Sequence, residues 1–318
     1  MSSALAPRVP EALAGPPTIH HAPLPDWIVA PSVSPDGSQF PGEPITLVIE
    51  DFQAHAGELG LYRRTVATFG TPQGANAGSR LEVIFQPLFE SLTIHHITLI
   101  RDGEEIDRTE ETSFHSNFFE TDAERRVKDG RVSSSALIED LRVGDSIDFA
   151  YSIVEHSPPL NDRYQSTLNY LGGDKPIVYQ RLRMTGFPGR KLHYRTALDV
   201  PAPESSKDGD LEVLSWEFSD IPTVEAEADR PSWHPAAPWI QTTTFETWGE
   251  VANAIFENWE SCAPDNDDTP ALDARVEQIR KDSVGDSSEA ARLAVTFVQD
   301  SIHDHPSGAP LGILPPTP

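Results

Sequence analysis

The chain has 318 residues, of which 38% are hydrophobic, enough for a buried core in one large domain or two smaller ones. Its 29 prolines favour strands and turns over helical bundles, because proline interrupts helix interiors. The 24 basic and 50 acidic residues give a net charge of −26, which repels phosphate backbones and anionic lipid surfaces. We therefore expect a soluble, acidic, mainly β protein with no nucleic-acid partner and no membrane insertion.

The sequence shows no hydrophobic segment that would take the chain to or through a membrane. Residues 1–14 lack the apolar core of a signal peptide, and no window approaches the roughly 18 apolar residues of a spanning helix. As written, the chain is therefore expected in the cytoplasm. Its single cysteine, Cys262, excludes an internal disulfide, so cysteine usage does not identify a redox compartment.

The N-terminal segment, residues 1–43, is rich in Ala, Pro, Ser and Gly and has no sustained hydrophobic period. This composition predicts a mostly disordered leader. The exception is the stretch 25–29, where Trp27 is expected to dock on a neighbouring surface.

Residues 44–240 show the two-residue hydrophobic period of strands that are buried on one face and wet on the other. The dipeptides Asp102-Gly103, Asp129-Gly130 and Asp208-Gly209 interrupt the periodic runs, and Asp-Gly supplies the positive φ of tight hairpins. Several short strands at turn spacing predict an antiparallel β-sandwich. The alternating positions are Leu81, Val83 and Phe85; Ile147, Phe149, Tyr151 and Ile153; Leu192, Tyr194, Thr196 and Leu198; and Leu214, Trp216 and Phe218.

Beyond residue 240 the hydrophobic period changes from two to 3.6, which predicts a short all-α segment over residues 241–303. Thr247 and Glu250 have the spacing of a capping box at the start of the first helix. A second helix is predicted to begin at Thr269-Pro270 and a third near Ser287, followed by an unstructured, Pro- and Gly-rich tail over 304–318. The apolar stripe of the first helix consists of Trp248, Val251, Ala252, Ile255, Phe256 and Trp259.

Several motifs occur in an order and at a spacing that resemble one family. They are Leu99-Ile100-Arg101-Asp102-Gly103, Leu141-x-x-Gly144-Asp145-x-Ile147-x-Phe149-x-Tyr151, Arg181-x-Arg183, Leu192-x-Tyr194-Arg195, Pro231-x-Trp233, Trp248-x-x-Val251 and Ala294-Val295-x-Phe297-Val298-x-Asp300-x-Ile302. The first four resemble the β-rich domain of unknown function that precedes bacterial transglutaminase-like domains. The last three resemble the linker and first helices of the transglutaminase-like domain itself, which would be incomplete here. The resemblance covers most of the chain.

The resemblance implies a papain-superfamily site, in which a cysteine thiolate attacks an amide carbonyl with the help of His and Asp. In such proteins the nucleophile lies downstream of the helix that here ends near Ile302, yet this sequence continues with His303-Asp304-His305 and contains no later cysteine. Cys262 is a poor substitute, because a helix C-terminus and the acidic run 265–268 both oppose thiolate formation. We therefore predict no catalytic and no cofactor-binding residue in this chain.

The spacing of acidic residues and histidines predicts no metal site. The run Asp265-Asn266-Asp267-Asp268 lacks the Gly and the closing Glu of an EF-hand loop, which favours a solvated loop between helices. His20-His21, His95-His96 and His303-x-His305 lack carboxylate partners at a metal-binding spacing, and neighbouring residues on a strand point to opposite faces.

Two further groups of residues have a structural interpretation. The basic patch 125–128 is interpreted as a solvated loop rather than a receptor for an acidic partner. Four tryptophans are expected to pack in the core where the strands meet the helices, rather than to form a carbohydrate-stacking platform. They are Trp233, Trp239, Trp248 and Trp259.

The leading functional prediction is a non-catalytic β-sandwich protein, a truncated relative of the bacterial two-domain family, that serves as a binding or scaffolding module. The alternative is the front part of a transglutaminase-like cysteine hydrolase or peptidase whose Cys-His-Asp half is missing from this chain. A third hypothesis assigns partner recruitment or self-association to helices 248–302, because their apolar stripes need cover. Since relatives are typically exported, the resemblance leaves a periplasmic or exported location open.

Overall fold

The computed structural model describes residues 17–33, 40–87, 89–118, 131–156, 165–169, 173–223, 238–261 and 270–301. These residues form a mainly β fold followed by a short α-helical segment, which confirms the predicted fold class. The chain divides into two units, one of Met1–Phe119 with Gly130–Glu246 and one of Glu120–Asp129 with Thr247–Pro318.

The described part of the first unit contains fifteen strands and one short helix. The strands are β1 Ile19–His21, β2 Ile45–His55, β3 Gly60–Phe69, β4 Arg80–Phe85, β5 Glu90–Arg101, β6 Glu104–Asp107, β7 His115–Phe118, β8 Val132–Leu137, β9 Ser146–Glu155, β10 Gln165–Asn169, β11 Ile177–Thr185, β12 His193–Ala197, β13 Glu204–Asp208, β14 Leu211–Ile221 and β15 Trp239–Thr243. Helix α1, Pro72–Gly78, begins after Thr71, whose side chain accepts a hydrogen bond from the amide of Gly74.

A nine-stranded sheet forms the centre of this unit. Its strands follow the order β1-β5-β9-β3-β2-β11-β14-β13, with β6 also paired to β5. The pairings are antiparallel except those of β1 with β5 and β11 with β2, so the predicted antiparallel arrangement holds for most but not all of the sheet. Two three-stranded sheets, β10-β15-β12 and β4-β8-β7, complete the unit.

One face of the large sheet is apolar and carries two buried clusters. Around β5 and β9, Leu92 and Phe149 pack in one cluster with Val83 of β4. Around β11, Leu182 packs in the other cluster with Ile240 of β15. Each small sheet therefore shares a core with the same face of the large one, and full burial of each such side chain stabilises the fold by about 1.5–3 kcal/mol.

The predicted alternation of buried and exposed residues holds at the periphery and fails in the centre. On β4 the odd-numbered residues are buried and the even-numbered ones are exposed. On β11 every residue is buried, because the strand lies between β2 and β14 and both of its faces are covered. The alternation predicted for 192–198 is wrong, since Tyr194 and Leu198 are 44% and 46% exposed.

Two residues of the family motifs form an ion pair that joins two strands of the large sheet. Arg101, at the end of β5, donates to both carboxylate oxygens of Asp145 at 2.9 and 2.7 Å. Asp145 is 2% exposed and also accepts from the amide of Arg142. These hydrogen bonds, led by those from Arg101, outweigh burial and lower the pKa of Asp145.

The predicted hairpin turns are present where the structure describes them. Asp102 and Gly103 both have positive φ, 52° and 81°, and join β5 to β6 as a type I′ turn does. Gly209 has a φ of 59° in the two-residue connection of β13 to β14. Asp129-Gly130 lies outside the described residues.

The leader contains ordered structure that its composition did not indicate. Residues 19–21 form β1, which pairs in parallel with residues 92–94 of β5. The expectation of a mostly disordered leader did not include strand β1, because backbone pairing with a sheet edge needs no hydrophobic period.

The second unit contains three helices among its described residues, α2 Trp248–Ser261, α3 Pro270–Asp282 and α4 Ser287–Ser301, as predicted. The amide of Glu250 donates to the Thr247 hydroxyl at 3.2 Å, as the capping-box spacing suggested. The predicted core position of Trp248 is wrong, since its side chain is 87% exposed. No helix in the described residues is long and apolar enough to span a membrane.

Candidate functional site

The second face of the nine-stranded sheet carries polar side chains in the middle of the fold. On β2, Asp51, Gln53 and His55 alternate with Phe52 and Ala54, which point to the apolar clusters. Asp51, Gln53 and His55 are nevertheless 8% exposed or less. Buried polar groups need partners, so this face must be held by specific hydrogen bonds.

A buried ion pair lies at the centre of the polar face. Arg181 of β11 donates from Nε to Oδ1 and from Nη2 to Oδ2 of Asp51, both at 2.8 Å. The side chains of the two residues are 5% and 1% exposed. Gln53 adds a hydrogen bond from Nε2 to Oδ2 of Asp51 at 2.9 Å, which fixes the orientation of its amide group.

The same side chains hold the backbone of residue 29. The amide of Val29 donates to Oε1 of Gln53 at 3.1 Å, and its carbonyl accepts from Nε2 of Gln53 at 2.8 Å. Nη2 of Arg181 donates to the same carbonyl. Val29 is 44% exposed, so Gln53 and Arg181 bind its backbone and not its side chain.

Trp27 provides the second contact of this segment with the sheet. Its ring lies 5.6 Å from that of His55, centroid to centroid. A Cβ atom on Gly60 would lie 2.9 Å from Cζ2 of Trp27, so the ring occupies space that only glycine leaves free. Burial lowers the pKa of His55, whose Nδ1 accepts from the amide of Glu58. The predicted docking of Trp27 is confirmed.

His95 makes the third contact. Its Nδ1 lies 2.9 Å from the carbonyl oxygen of Ala22, and its Nε2 lies 2.9 Å from Oγ of Ser152. Since a carbonyl only accepts, Nδ1 donates to Ala22 and Nε2 accepts from Ser152. Burial lowers the pKa of His95, which agrees with this neutral form. A serine beside a histidine can be a nucleophile, but Ser152 is 3% exposed and out of reach of a substrate.

Residues 19–29, which we call the N-terminal strap, thus run from β1 at the edge of the large sheet to contacts on its polar face. It is held by β1 pairing, by the carbonyl of Ala22, by the ring of Trp27 and by the backbone of Val29. All but one of these contacts are made by the strap's backbone. The strap therefore resembles a bound extended peptide more than a packed core element.

A second ion-pair cluster lies on the polar face, where Arg64 is paired with Asp51 across β3 and β2. Arg64 donates to both oxygens of Asp148 at 2.9 and 2.6 Å, and Nε2 of His96 lies 2.9 Å from Oδ1 of Asp148. Burial acts to raise the pKa of Asp148, but the hydrogen bonds from His96 and Arg64 outweigh it, and that pKa is lowered.

The two neighbouring histidines lie on the same side of β5, contrary to the prediction. A β-bulge between Ile94 and His96 interrupts the alternation, so His95 reaches Ser152 and His96 reaches Asp148 on one face of β9. Across the described ranges, no group of three or more His, Cys, Asp or Glu residues is arranged to hold a metal ion. Cys262, the acidic run 265–268, the basic patch 125–128 and residues 303–305 lie outside those ranges.

The helical unit presents apolar side chains at its surface. Helices α3 and α4 meet where the guanidinium of Arg275 lies 5.1 Å from the ring centroid of Phe297. On α2, Trp248 and Phe256 are 87% and 59% exposed, and on α4, Val295 is 55% exposed. The stripe predicted from the 3.6-residue period therefore exists, but much of it is open.

Gln53 and Arg181 form a clamp on the backbone of Val29. The sequence analysis did not predict this clamp, although the sequence contains a signal for it. Asp51-x-Gln53-x-His55 and Arg181-x-Arg183 place polar residues at alternate positions, and the residues between them are Phe52, Ala54 and Leu182. Such a pattern indicates a polar face inside the fold. Which backbone it would bind cannot be read from the pattern.

Comparisons with known proteins support the resemblance to a β-rich domain of unknown function and show a similar fold in one solved structure. Residues 55–225 match the model of a family described as a domain of unknown function with solved structure, DUF3857. A candidate protease from Parabacteroides distasonis ATCC 8503 aligns with a TM-score of 0.61 at 14% identity, over 81% of this chain and 50% of its own length. This chain therefore spans half the length of that structure, and the likeness is one of fold.

Two further alignments are too weak to indicate a shared fold. Yeast LTA4 hydrolase, in complex with bestatin and in its native form, aligns with TM-scores of 0.31 and 0.33 at 7% and 6% identity. These alignments cover 67% of this chain and 31% and 32% of the hydrolase. No curated protein matches the chain.

Proposed function

We propose a function from the premise that this chain belongs to the DUF3857 family, since the matched residues 55–225 make up more than half of its 318 residues. In this proposal the chain is a member of a protease-related family, and its β unit is a non-catalytic binding or scaffolding module. Its task is to hold an extended polypeptide segment on the polar face of the large sheet.

The clamp on Val29 is the observation that carries this proposal. Gln53 and Arg181 are buried, and their side chains bind the amide and the carbonyl of a residue whose own side chain is exposed. Burying a guanidinium and an amide group costs free energy unless each is fully paired. Gln53 and Arg181 are buried where their side chains hydrogen-bond the backbone of another segment. This arrangement is suited to binding an extended chain.

The alternative is that the chain is the front part of a transglutaminase-like cysteine hydrolase. Two observations support it: three helices follow the β unit in the predicted order, and the candidate protease of similar fold is twice as long as its aligned part. In this case the Cys-His-Asp residues would be supplied by sequence outside these 318 residues. The β unit would then position a substrate or a neighbouring domain.

The non-catalytic proposal predicts that this chain has no thiol-dependent activity. The full chain is assayed with internally quenched peptide substrates and with a labelled amine as acyl acceptor, next to Cys262→Ala. Because Cys262 is the sole cysteine, the variant removes every thiol. We expect the same background rate for both proteins. Hydrolysis or amine incorporation that disappears in Cys262→Ala would overturn the non-catalytic assignment.

The mass of the natural product tests the alternative directly. Immunoblotting of the protein expressed from its own locus is expected to show a species near the 35.0 kDa of this sequence if the module acts alone. A species of about twice that mass would favour the cysteine hydrolase.

A further inference from the structure

Residues 22–29 of the N-terminal strap have the features of a bound ligand, whereas residues 19–21 form strand β1 of the large sheet. Trp27 has a formed site on the sheet and Ile19 packs against the apolar cluster around β5 and β9, whereas Leu24 and Val29 are 47% and 44% exposed. The remaining contacts are hydrogen bonds to its backbone at Ala22 and Val29 and the three-residue pairing of β1. Such contacts can be made by any extended chain with a suitably placed aromatic ring.

The strap is also prepared for binding by its own sequence. Pro23 and Pro25 fix φ near the extended value, which lowers the entropy lost when the segment is ordered. The carbonyl of Pro25 accepts from the amide of Ile28 at 3.1 Å, which turns the chain at Trp27. Proline-rich segments are a recurring class of peptide ligand because their conformation is fixed before binding.

The receptor side is preformed by elements that do not depend on the strap. Gly60 and His55 lie at the ends of paired strands, and Gln53 and Arg181 are fixed by Asp51. Arg181 keeps its two hydrogen bonds to Asp51 whether or not Val29 is present. If the strap were released, the recess at Gly60 and His55 that accepts an aromatic ring would remain. Gln53 and Arg181 would also remain in place to bind a peptide backbone.

We infer that this face of the sheet is a peptide-binding site that the N-terminal strap occupies in competition with an external ligand. The ligand class is a proline-containing peptide that turns at an aromatic residue two positions before the clamped residue. The strap competes with the external peptide, because a tethered segment acts at an effective concentration of about 1 mM. The strap therefore lowers the apparent affinity of any peptide that must displace it. This inference rests on the proposed binding function and specifies its ligand.

The test uses the full chain with Trp27→Ala and, as probe, a fluorescently labelled synthetic peptide of residues 17–33. Removing the anchor weakens the strap in cis and leaves the receptor residues unchanged. We expect the peptide to bind Trp27→Ala saturably in fluorescence anisotropy, at least about tenfold more tightly than it binds the wild type. Hydrogen exchange at the Val29 amide, which donates to buried Gln53, should be faster in the variant.

A receptor-side variant separates specific binding from general stickiness. In the double variant Trp27→Ala/Gly60→Ala, the added Cβ fills the space that the Trp27 ring needs, and φ at Gly60 is one that alanine can adopt. We expect the labelled peptide to lose at least about tenfold in affinity for the double variant. A peptide carrying alanine in place of the tryptophan should bind none of the three proteins.

Two results would overturn the inference. One is the absence of saturable binding to Trp27→Ala up to about 1 mM peptide, the concentration at which the tethered strap acts. The other is equal affinity for the single and the double variant. Neither result bears on thiol-dependent activity, so the failure of this inference and the failure of the non-catalytic assignment are distinguishable.

Discussion

At the scale of single residues, the buried ion pair of Arg181 with Asp51 makes the largest difference to the stability of the polar face. Each is buried, so each has lost its hydration, and only their mutual attraction and the hydrogen bonds of Gln53 and Val29 offset that loss. The pair is therefore worth little relative to a well-packed apolar pair. Breaking it by removing one partner, however, leaves a buried charge without compensation.

Asp51→Asn should lower the free energy of unfolding by about 3 kcal/mol or more, because it leaves the Arg181 guanidinium buried beside a neutral amide. Urea unfolding followed by far-UV circular dichroism measures the change. Asp174→Asn is the matched control, since it removes the same charge from an ion pair with Lys175 in which the carboxylate is 86% exposed. The control should cost less than about 1 kcal/mol. Equal losses in the two variants would show that Arg181 finds other compensation.

Glu155 makes stability depend on pH. It lies directly across from Glu90 in the pairing of β5 with β9, and burial together with the charge of Glu90 raises the pKa of Glu155 to about 7. In the unfolded chain this pKa is near its ordinary value of about 4.3, so the folded state binds the proton more tightly. Stability from this group is therefore present at low pH and is lost as the pH rises from about 4.3 to about 7.

Glu155→Gln should raise the free energy of unfolding at pH 8 on the order of 1 kcal/mol, after discounting for partial exposure, and change it little at pH 4.5. Thermal unfolding at the two pH values measures the difference. Glu104→Gln, on exposed β6, removes one negative charge without removing a buried pair and serves as control. A stabilisation that is the same at both pH values would contradict the assigned cause.

The sequence indicates the chemistry of the polar face but not its use. The docking of Trp27 could be predicted, because a large aromatic residue in a proline-rich segment rarely stays in water. The clamp could not, since the partners Val29, Gln53 and Arg181 are far apart in the chain and meet only through the parallel pairing of β2 with β11. The bulge that brings His95 and His96 to one side has no sequence signal of its own.

At the scale of elements, strands and helices differ in how well the sequence predicts their burial. The peripheral strand β4 obeys the two-residue alternation, whereas β11, with a neighbour on each side and both faces covered, is buried throughout. Element type could therefore be predicted from local pattern. Burial could not be predicted in the same way, because it depends on which strand lies at the edge of the sheet, a property of the whole topology.

At the scale of elements, the exposed apolar stripe of α2 is expected to affect how the chain associates in solution. Trp248 and Phe256 are largely exposed, and apolar side chains in water favour association. We expect the full chain to show concentration-dependent self-association in sedimentation velocity, and Trp248→Ser/Phe256→Ser to weaken it at least about tenfold. Since both side chains are exposed, the double variant should change the free energy of unfolding by less than about 1 kcal/mol.

Ala254→Ser is the control for this prediction, because Ala254 lies on the same helix and is 4% exposed. It should lower the stability of the helical unit and leave association unchanged. A wild-type chain that stays monomeric at every concentration would contradict the prediction and would mean that the exposed stripe is not a contact surface in solution.

At the scale of the whole molecule, the excess of acidic residues opposes folding. The 26 uncompensated negative charges are brought closer together when the chain becomes compact, and their repulsion extends over a Debye length of about 30 Å at 10 mM salt. Salt also weakens exposed ion pairs, such as Arg292 with Glu289. Such pairs contribute less than about 1 kcal/mol each, and the buried pair of Arg181 with Asp51 is screened little.

Repulsion should therefore dominate the response to salt. Raising sodium chloride from about 10 mM to about 150 mM shortens the Debye length to about 8 Å, and we expect the melting temperature to rise by several degrees. The control is the same series at pH 4.5, near the sequence isoelectric point of 4.6, where the net charge is small and the effect should nearly vanish. A melting temperature that falls with salt at pH 7 would mean that the ion pairs, and not the excess charge, set the electrostatic stability of this fold.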